Sequence, residues 1–224
     1  MKIYAHRGSS GKYPEMTLSA YEAAIEEGAD GFECDVRLSK DKKIICIHDA
    51  TTKRVGNRKI RVASSKVKEI KRVADVITLE ELLQLAIASK RDILIETKHP
   101  TFTGGAIEGK VFEQLQEYDS QIRGAQIEVI VMSFSWMATR RFSNSYRVSK
   151  VSKFYLSAIM TRSKIAALDI KLIERKPKLV AKLQARGIRV FAWTVNSKRQ
   201  LEICKLLKID GVITDYPGRM ARSV

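Results

Sequence analysis

Two histidines, three carboxylates and two cations carry the chemistry legible in this chain. His6-Arg7, Glu33-x-Asp35, His48-Asp49 and Glu96-x-Lys98 lie far apart, yet each closes or sits within a short apolar run of strand character. Side chains two apart on a strand point the same way, so Glu33 projects with Asp35, and Glu96 with Lys98. Where the C-terminal ends of parallel strands share one face, the three carboxylates converge. Such an oxygen-rich cluster suits one hard divalent cation, Mg²⁺ or Ca²⁺, rather than zinc. The competing reading is three unrelated salt bridges, with Arg7, Arg37 and Lys98 as partners. The chain has only three histidines, and His6 and His48 stand at the ends of successive strand candidates. An imidazole titrates near neutrality, so a pair flanking a phosphodiester supplies a general base and a general acid. Arg7 and Lys98 add the positive charge a phosphate needs. His99, followed by Pro100 in a loop, is read as structural.

The elements that must position these groups alternate short apolar runs with stretches of helical period, the pattern of an α/β fold. Strand candidates are Ile3 to His6, Gly31 to Val36, Ile44 to His48, Asp92 to Thr97, Glu128 to Met132, Phe154 to Ala158, Arg189 to Thr194 and Gly211 to Thr214. Helical patterns cover Leu18 to Glu27, Leu79 to Ala88, Gly105 to Tyr118, Trp136 to Phe142, Pro177 to Arg186 and Lys198 to Leu207. The run from Ala167 to Ile173 reads either as a ninth strand or as a distorted entry to a helix. Eight strands predict a TIM (β/α)8 barrel, whose active site belongs at the C-terminal ends of its strands. The turn Ser39 to Lys43 is too short for a helical crossover. The connection between the second and third strands is therefore irregular, or the barrel lacks its second helix.

Length and composition fit this frame. The chain has 224 residues, 45% hydrophobic and 29% charged, enough for one sizeable core, and no linker-like stretch divides it, so a single domain over 1–224 is expected. No apolar run approaches the roughly 18 residues that span a bilayer, and Met1 to His6 lacks the apolar stretch of a signal peptide. A cytoplasmic location is the expectation. Cys34, Cys46 and Cys204 form no CxxC pair and read as reduced, buried thiols. The net charge is +16, with nine basic residues and one acid from Thr51 to Arg72, and thirteen basic residues and two acids from Trp136 to Arg186. Such a field attracts anionic lipid, nucleic acid or phosphorylated small molecules, or is simply a solvated surface.

An ordered set of motifs resembles the glycerophosphodiester phosphodiesterase family: Ala5-His6-Arg7-Gly8, Pro14-Glu15-x-Thr17-Leu18, Gly28 to Val36, Ile47-His48-Asp49, Thr78 to Glu81, Glu96-Thr97-Lys98, Ser133-Phe134, Trp193 to Asn196 and Asp210 to Pro217. The resemblance spans nearly the whole chain. It implies a barrel enzyme that binds Mg²⁺ or Ca²⁺ and cleaves small glycerophosphodiesters to sn-glycerol 3-phosphate and an alcohol. Carried over by position, it implies His6 and His48 as the acid/base pair and Glu33, Asp35 and Glu96 as metal ligands. Arg7 and Lys98 correspond to cations on the phosphate side. Trp193 corresponds to an aromatic residue near the glycerol end, or belongs to the core. Met16 departs from the family's Pro-Glu-Asn-Thr segment, which puts the first loop's geometry in question.

Two other functions fit parts of the same pattern. A lysophospholipase D or sphingomyelinase D-like enzyme would use the same histidines and carboxylates, with an apolar mouth as its mark. A non-catalytic basic module would bind anionic membranes or nucleic acid in a strongly salt-dependent way. No nucleic-acid-binding motif accompanies the charge, so no specific nucleic-acid partner is expected, and peripheral contact with an anionic membrane is the partner that the basic surface suggests.

Overall fold

In the computed structural model, the residues described are 1–98, 105–140, 142 and 146–223. The strands are β1 (Lys2–His6), β2 (Gly31–Leu38), β3 (Ile44–Cys46), β4 (Asp92–Thr97), β5 (Val129–Ser133), β6 (Arg147–Ser152), β7 (Ile165–Asp169), β8 (Arg189–Trp193) and β9 (Gly211–Thr214). Their order is β1-β9-β8-β7-β6-β5-β4-β2-β3, and β1 also pairs with β2, which closes eight parallel strands into a barrel. The expected TIM barrel is the observed fold.

Outward residues of these strands, such as Phe32, Ile93, Val131 and Ala192, pack under the surrounding helices. Inward residues including Tyr4, Leu94, Ile130, Val151, Phe191 and Ile213 fill the barrel. Apolar residues on both faces give parallel strands their nearly continuous hydrophobic sequences. The filled interior leaves the barrel no open channel, and so confines chemistry to the mouth.

Two strand expectations are corrected, and one left open is resolved. Ile44 to His48 is not a barrel strand: β3 is only three residues long and pairs antiparallel with β2. A turn as short as Ser39 to Lys43 can join antiparallel neighbours but not parallel ones. Phe154 to Ala158 is not a strand, because Tyr155–Ile159 forms a helical turn. The barrel strands of that region are β6 and β7. The run from Ala167 to Ile173 holds both alternatives: β7 ends at Asp169, whose side chain accepts from Lys171 N at 2.8 Å and caps the helix Ile170–Arg175.

After β3 the chain builds a small subdomain on the mouth side, with its own core of Ile45, Ile47, Val62, Ile70, Ala74 and Val76. It ends at Thr78, which caps the helix Leu79–Ser89: Glu81 N donates to Thr78 Oγ1 at 3.2 Å, and Thr78 N to Glu81 Oε2 at 2.7 Å. That helix returns the chain to the base of the barrel, where β4 begins. Cys34, Cys46 and Cys204 are buried free thiols, as expected. Among the described residues no helix is long and apolar enough to cross a membrane.

Candidate active site

The inward alternation brings the predicted residues together at the C-terminal mouth. Glu33 and Asp35 lie on β2 and Glu96 on β4; all three are buried, and one oxygen from each falls within 4.8 Å of the others. Two cations serve Asp35 and Glu96, while Glu33 Oε2 accepts from the Arg7 backbone N–H at 3.2 Å. Lys98 Nζ lies 2.6 Å from both Asp35 Oδ1 and Glu96 Oε1, and Arg7 Nε lies 2.9 Å from Asp35 Oδ2. The competing reading of separate salt bridges is half realised. Arg7 and Lys98 do pair with the acids, but Arg37 Nε donates to the His48 carbonyl at 2.9 Å instead.

The electrostatics follow from this crowding. Burial raises the Asp35 carboxyl, but the charges of Lys98 and Arg7 overcome that and hold it below its ordinary value. Burial and the Asp35 charge push Glu33 up to about 8, and the same two causes raise Glu96. Neither Asp35 oxygen has a partner aligned as a hydrogen bond, although both face cations. Three buried carboxylates within 4.8 Å of one another, two of which resist ionising beside the third, are the chemistry a divalent cation satisfies. The residues present fit such an ion.

Each histidine is oriented by an aspartate. His6, at the end of β1, holds Asp215 Oδ1 through Nδ1 at 2.6 Å, while its Nε2 faces Glu33 Oε2 at 3.9 Å. Burial lowers the His6 imidazole, but the Asp215 hydrogen bond and the Glu33 charge outweigh it and leave the ring more basic than usual. His48 lies two residues beyond β3 and contacts Asp49 Oδ1 through Nδ1 at 2.7 Å. Its ring is shifted down, because burial outweighs the bond to Asp49. In both rings Nδ1 is engaged, which leaves Nε2 for proton transfer.

Sequence reasoning missed the groups that hold this arrangement. Asp215 is fixed by Asn196 Nδ2 at 2.6 Å and Ser10 Oγ at 3.0 Å. It sits two residues beyond the inward Ile213, so the alternation that revealed Glu33 and Asp35 would have revealed it. Glu15 contacts Arg7 Nη1 at 3.2 Å and takes Arg54 Nη1 and Nη2 at 2.5 and 2.8 Å; Arg54 Nε reaches Asp49 at 2.8 Å. The chain Arg7–Glu15–Arg54–Asp49–His48 ties the second histidine to the barrel. Met16 is buried and holds a left-handed φ of 58°, with its N–H donating to the Arg7 carbonyl at 2.9 Å. Asparagine tolerates that region better than methionine, so the departure falls where the backbone asks for the family residue. Gly8 needs its φ of 82° and its missing side chain, since a Cβ would lie 2.7 Å from Ala20.

Trp193 closes β8 at the mouth, its Nε1 donating to the Ala167 carbonyl at 3.1 Å. Its ring meets Phe134 edge-on at 5.7 Å, and the Lys153 ammonium lies 5.3 Å from it. The residue both packs on the barrel interior and walls the mouth. His99 lies outside the described residues.

The sequence pattern of the glycerophosphoryl diester phosphodiesterase family matches residues 6–219, nearly the whole barrel. The chain belongs to this family. A glycerophosphodiester phosphodiesterase of Bacillus altitudinis is 32% identical, with 99% of this chain and 97% of the relative covered. One of Caldanaerobacter subterraneus is 30% identical, with 99% and 97% covered. Among solved structures, the glycerophosphodiester phosphodiesterase of Thermotoga maritima superposes with a TM-score of 0.84 at 25% identity, covering 100% of this chain and 98% of that one. An Oleispira antarctica phosphodiesterase, solved in complex with the product sn-glycerol-3-phosphate, superposes with the same TM-score of 0.84 at 19% identity, covering 100% and 96%. As a glycerophosphodiester phosphodiesterase family member the chain is an enzyme, a phosphoric diester hydrolase.

Proposed function

We propose that this enzyme hydrolyses small glycerophosphodiesters to sn-glycerol 3-phosphate and an alcohol, with His6 and His48 as the acid/base pair and one divalent cation, Mg²⁺ or Ca²⁺, held by Glu33, Asp35 and Glu96. The observation that carries this reading is the buried carboxylate triad at the barrel mouth, with two histidines that are each oriented by an aspartate. The product held by the Oleispira antarctica phosphodiesterase, which has the same fold, supports the assignment of product. When bound, the cation would neutralise charge on the phosphate as the bond to the leaving alcohol stretches.

The two imidazoles are shifted apart in the sense that a base and an acid require. His48 Nε2 takes the proton of the attacking hydroxyl, either water or the glycerol 2-hydroxyl through a cyclic phosphate. His6 Nε2 gives a proton to the leaving oxygen as its bond to phosphorus breaks. Arg7 and Lys98, held by Asp35, face the phosphate oxygens. Replacing either histidine by alanine should lower turnover of glycerophosphocholine by about a hundredfold or more. Unchanged turnover in both His6→Ala and His48→Ala would sink the reading.

Phe134 is 41% exposed beside Trp193, and this apolar mouth favours a second reading, a lysophospholipase D activity on lipid diesters. Cleavage of lysophosphatidylcholine in preference to glycerophosphocholine would select it. The non-catalytic module has no comparable support, because it leaves the assembled triad and both His–Asp pairs without a role.

A further inference from the structure

The rim of the mouth divides into two halves of different chemistry. On one side stands the subdomain after β3, where Thr51 to Arg72 carries nine basic residues and one acid, Glu69. On the other side the loops after β5 and β6 expose large apolar side chains: Phe134 at 41%, Met137 at 65%, Phe154 at 75% and Leu156 at 69%. Tyr13 and Leu18, in and just after the loop following β1, add to the same rim. Six of the nine exposed large hydrophobic residues among the described residues thus surround the mouth. Singly exposed apolar residues are ordinary on a soluble protein, but a cluster around a substrate entrance marks a contact surface.

These apolar residues stand on a fixed base. Lys150 Nζ donates to the Phe134 carbonyl and links β6 to the loop after β5. Tyr155 and Ile159 pack on the core and Ala158 is buried, while Leu156 on the same short helix faces solvent. An anionic bilayer complements both halves at once, with acyl chains for the aromatic and aliphatic tips and headgroup phosphates for the lysines and arginines. A nucleic acid would use the charge and leave the apolar half without a role.

We propose that this rim seats the barrel mouth-down on an anionic bilayer, so that diesters still carrying an acyl chain are met in the membrane. The inference rests on the second reading, in which lipid diesters are the substrate, but its test is independent of turnover. The full chain is sedimented with vesicles of phosphatidylcholine alone, and with vesicles containing about a third phosphatidylglycerol. The expected result is binding to the anionic vesicles that weakens as salt is added. Phe154→Asp with Leu156→Asp should reduce that binding about tenfold, and Lys59→Glu with Lys68→Glu should reduce it too. The first variant should turn over soluble glycerophosphocholine as the unmodified chain does, which also reports that it is folded. Absence of the unmodified chain from the anionic vesicle pellet, or equal binding by the Phe154 and Leu156 variant, overturns the proposal. Failure of the unmodified chain to cleave any soluble diester would count against the hydrolase reading and leave the binding result standing.

Discussion

At the base of the barrel, the inward Asp92 and Glu128 meet more than enough donors. Arg189 grips Glu128 with two nitrogens at 2.6 and 3.1 Å, Arg147 adds a third contact at 2.9 Å, and Asp92 takes Lys2, the Tyr4 hydroxyl and the Glu128 N–H. At the mouth, Asp35 draws on both Arg7 and Lys98, Glu96 takes a share of Lys98, and Glu33 faces His6 Nε2 at 3.9 Å. The same strand alternation builds both ends. The base is a finished charge network, and the mouth is short of positive charge. That deficit separates a group of acids that holds the fold from one that waits for a ligand.

The two ends differ most in what a lost carboxylate does to activity. Glu33→Gln should lower turnover on the order of a thousandfold, while the melting temperature of the metal-free protein holds or rises, because one member of a crowded acid group is neutralised. Steady-state kinetics and a thermal melt on the same preparation check both halves. Glu128→Gln should do the reverse. Loss of the Arg189 and Arg147 contacts costs about 2 kcal/mol, roughly 4–8 °C in a domain of this size, with kcat close to unchanged.

Stability against pH sharpens the contrast with a smaller effect. Burial raises Glu128, but its hydrogen bond to Arg189 and the arginine charges hold it below the ordinary value. Its contribution is therefore present at neutral pH and is lost as pH falls through its folded pKa. Glu33 is shifted up, so its contribution is present in acid and is lost as pH rises from its ordinary 4.5 through about 8. Melts of the metal-free protein across that window should decline with pH, and Glu33→Gln should flatten the decline. A decline that the substitution leaves untouched would place its origin elsewhere.

The legible parts of the molecule are those whose signals are local. Gly31 to Val36 alternates Glu33 and Asp35 with Phe32, Cys34 and Val36, so its strand character, its two faces and two of its site residues could be read at once. β6, Arg147-Val-Ser-Lys-Val-Ser, has only two apolar residues, because its neighbours rather than its own side chains bury it. β7, Ile-Ala-Ala-Leu-Asp, is built largely from good helix formers, and tertiary pairing overrides that propensity. Phe154 and Tyr155 gave a false strand because aromatic residues favour strands, whereas here they begin a helical turn over the rim. Arg54 was hidden among basic neighbours, and its bond to Glu15 joins residues 39 apart. The chemistry of the site was readable from residue types at strand ends, and the groups that orient it were set by tertiary contacts.

The most direct test of the mouth as a cation-dependent hydrolytic site is release of glycerol 3-phosphate from glycerophosphocholine and glycerophosphoethanolamine, first in chelator and then with Mg²⁺ or Ca²⁺ restored. The carboxylate triad predicts that chelation abolishes release and that one or both ions bring it back. Full turnover in the presence of chelator would contradict the account.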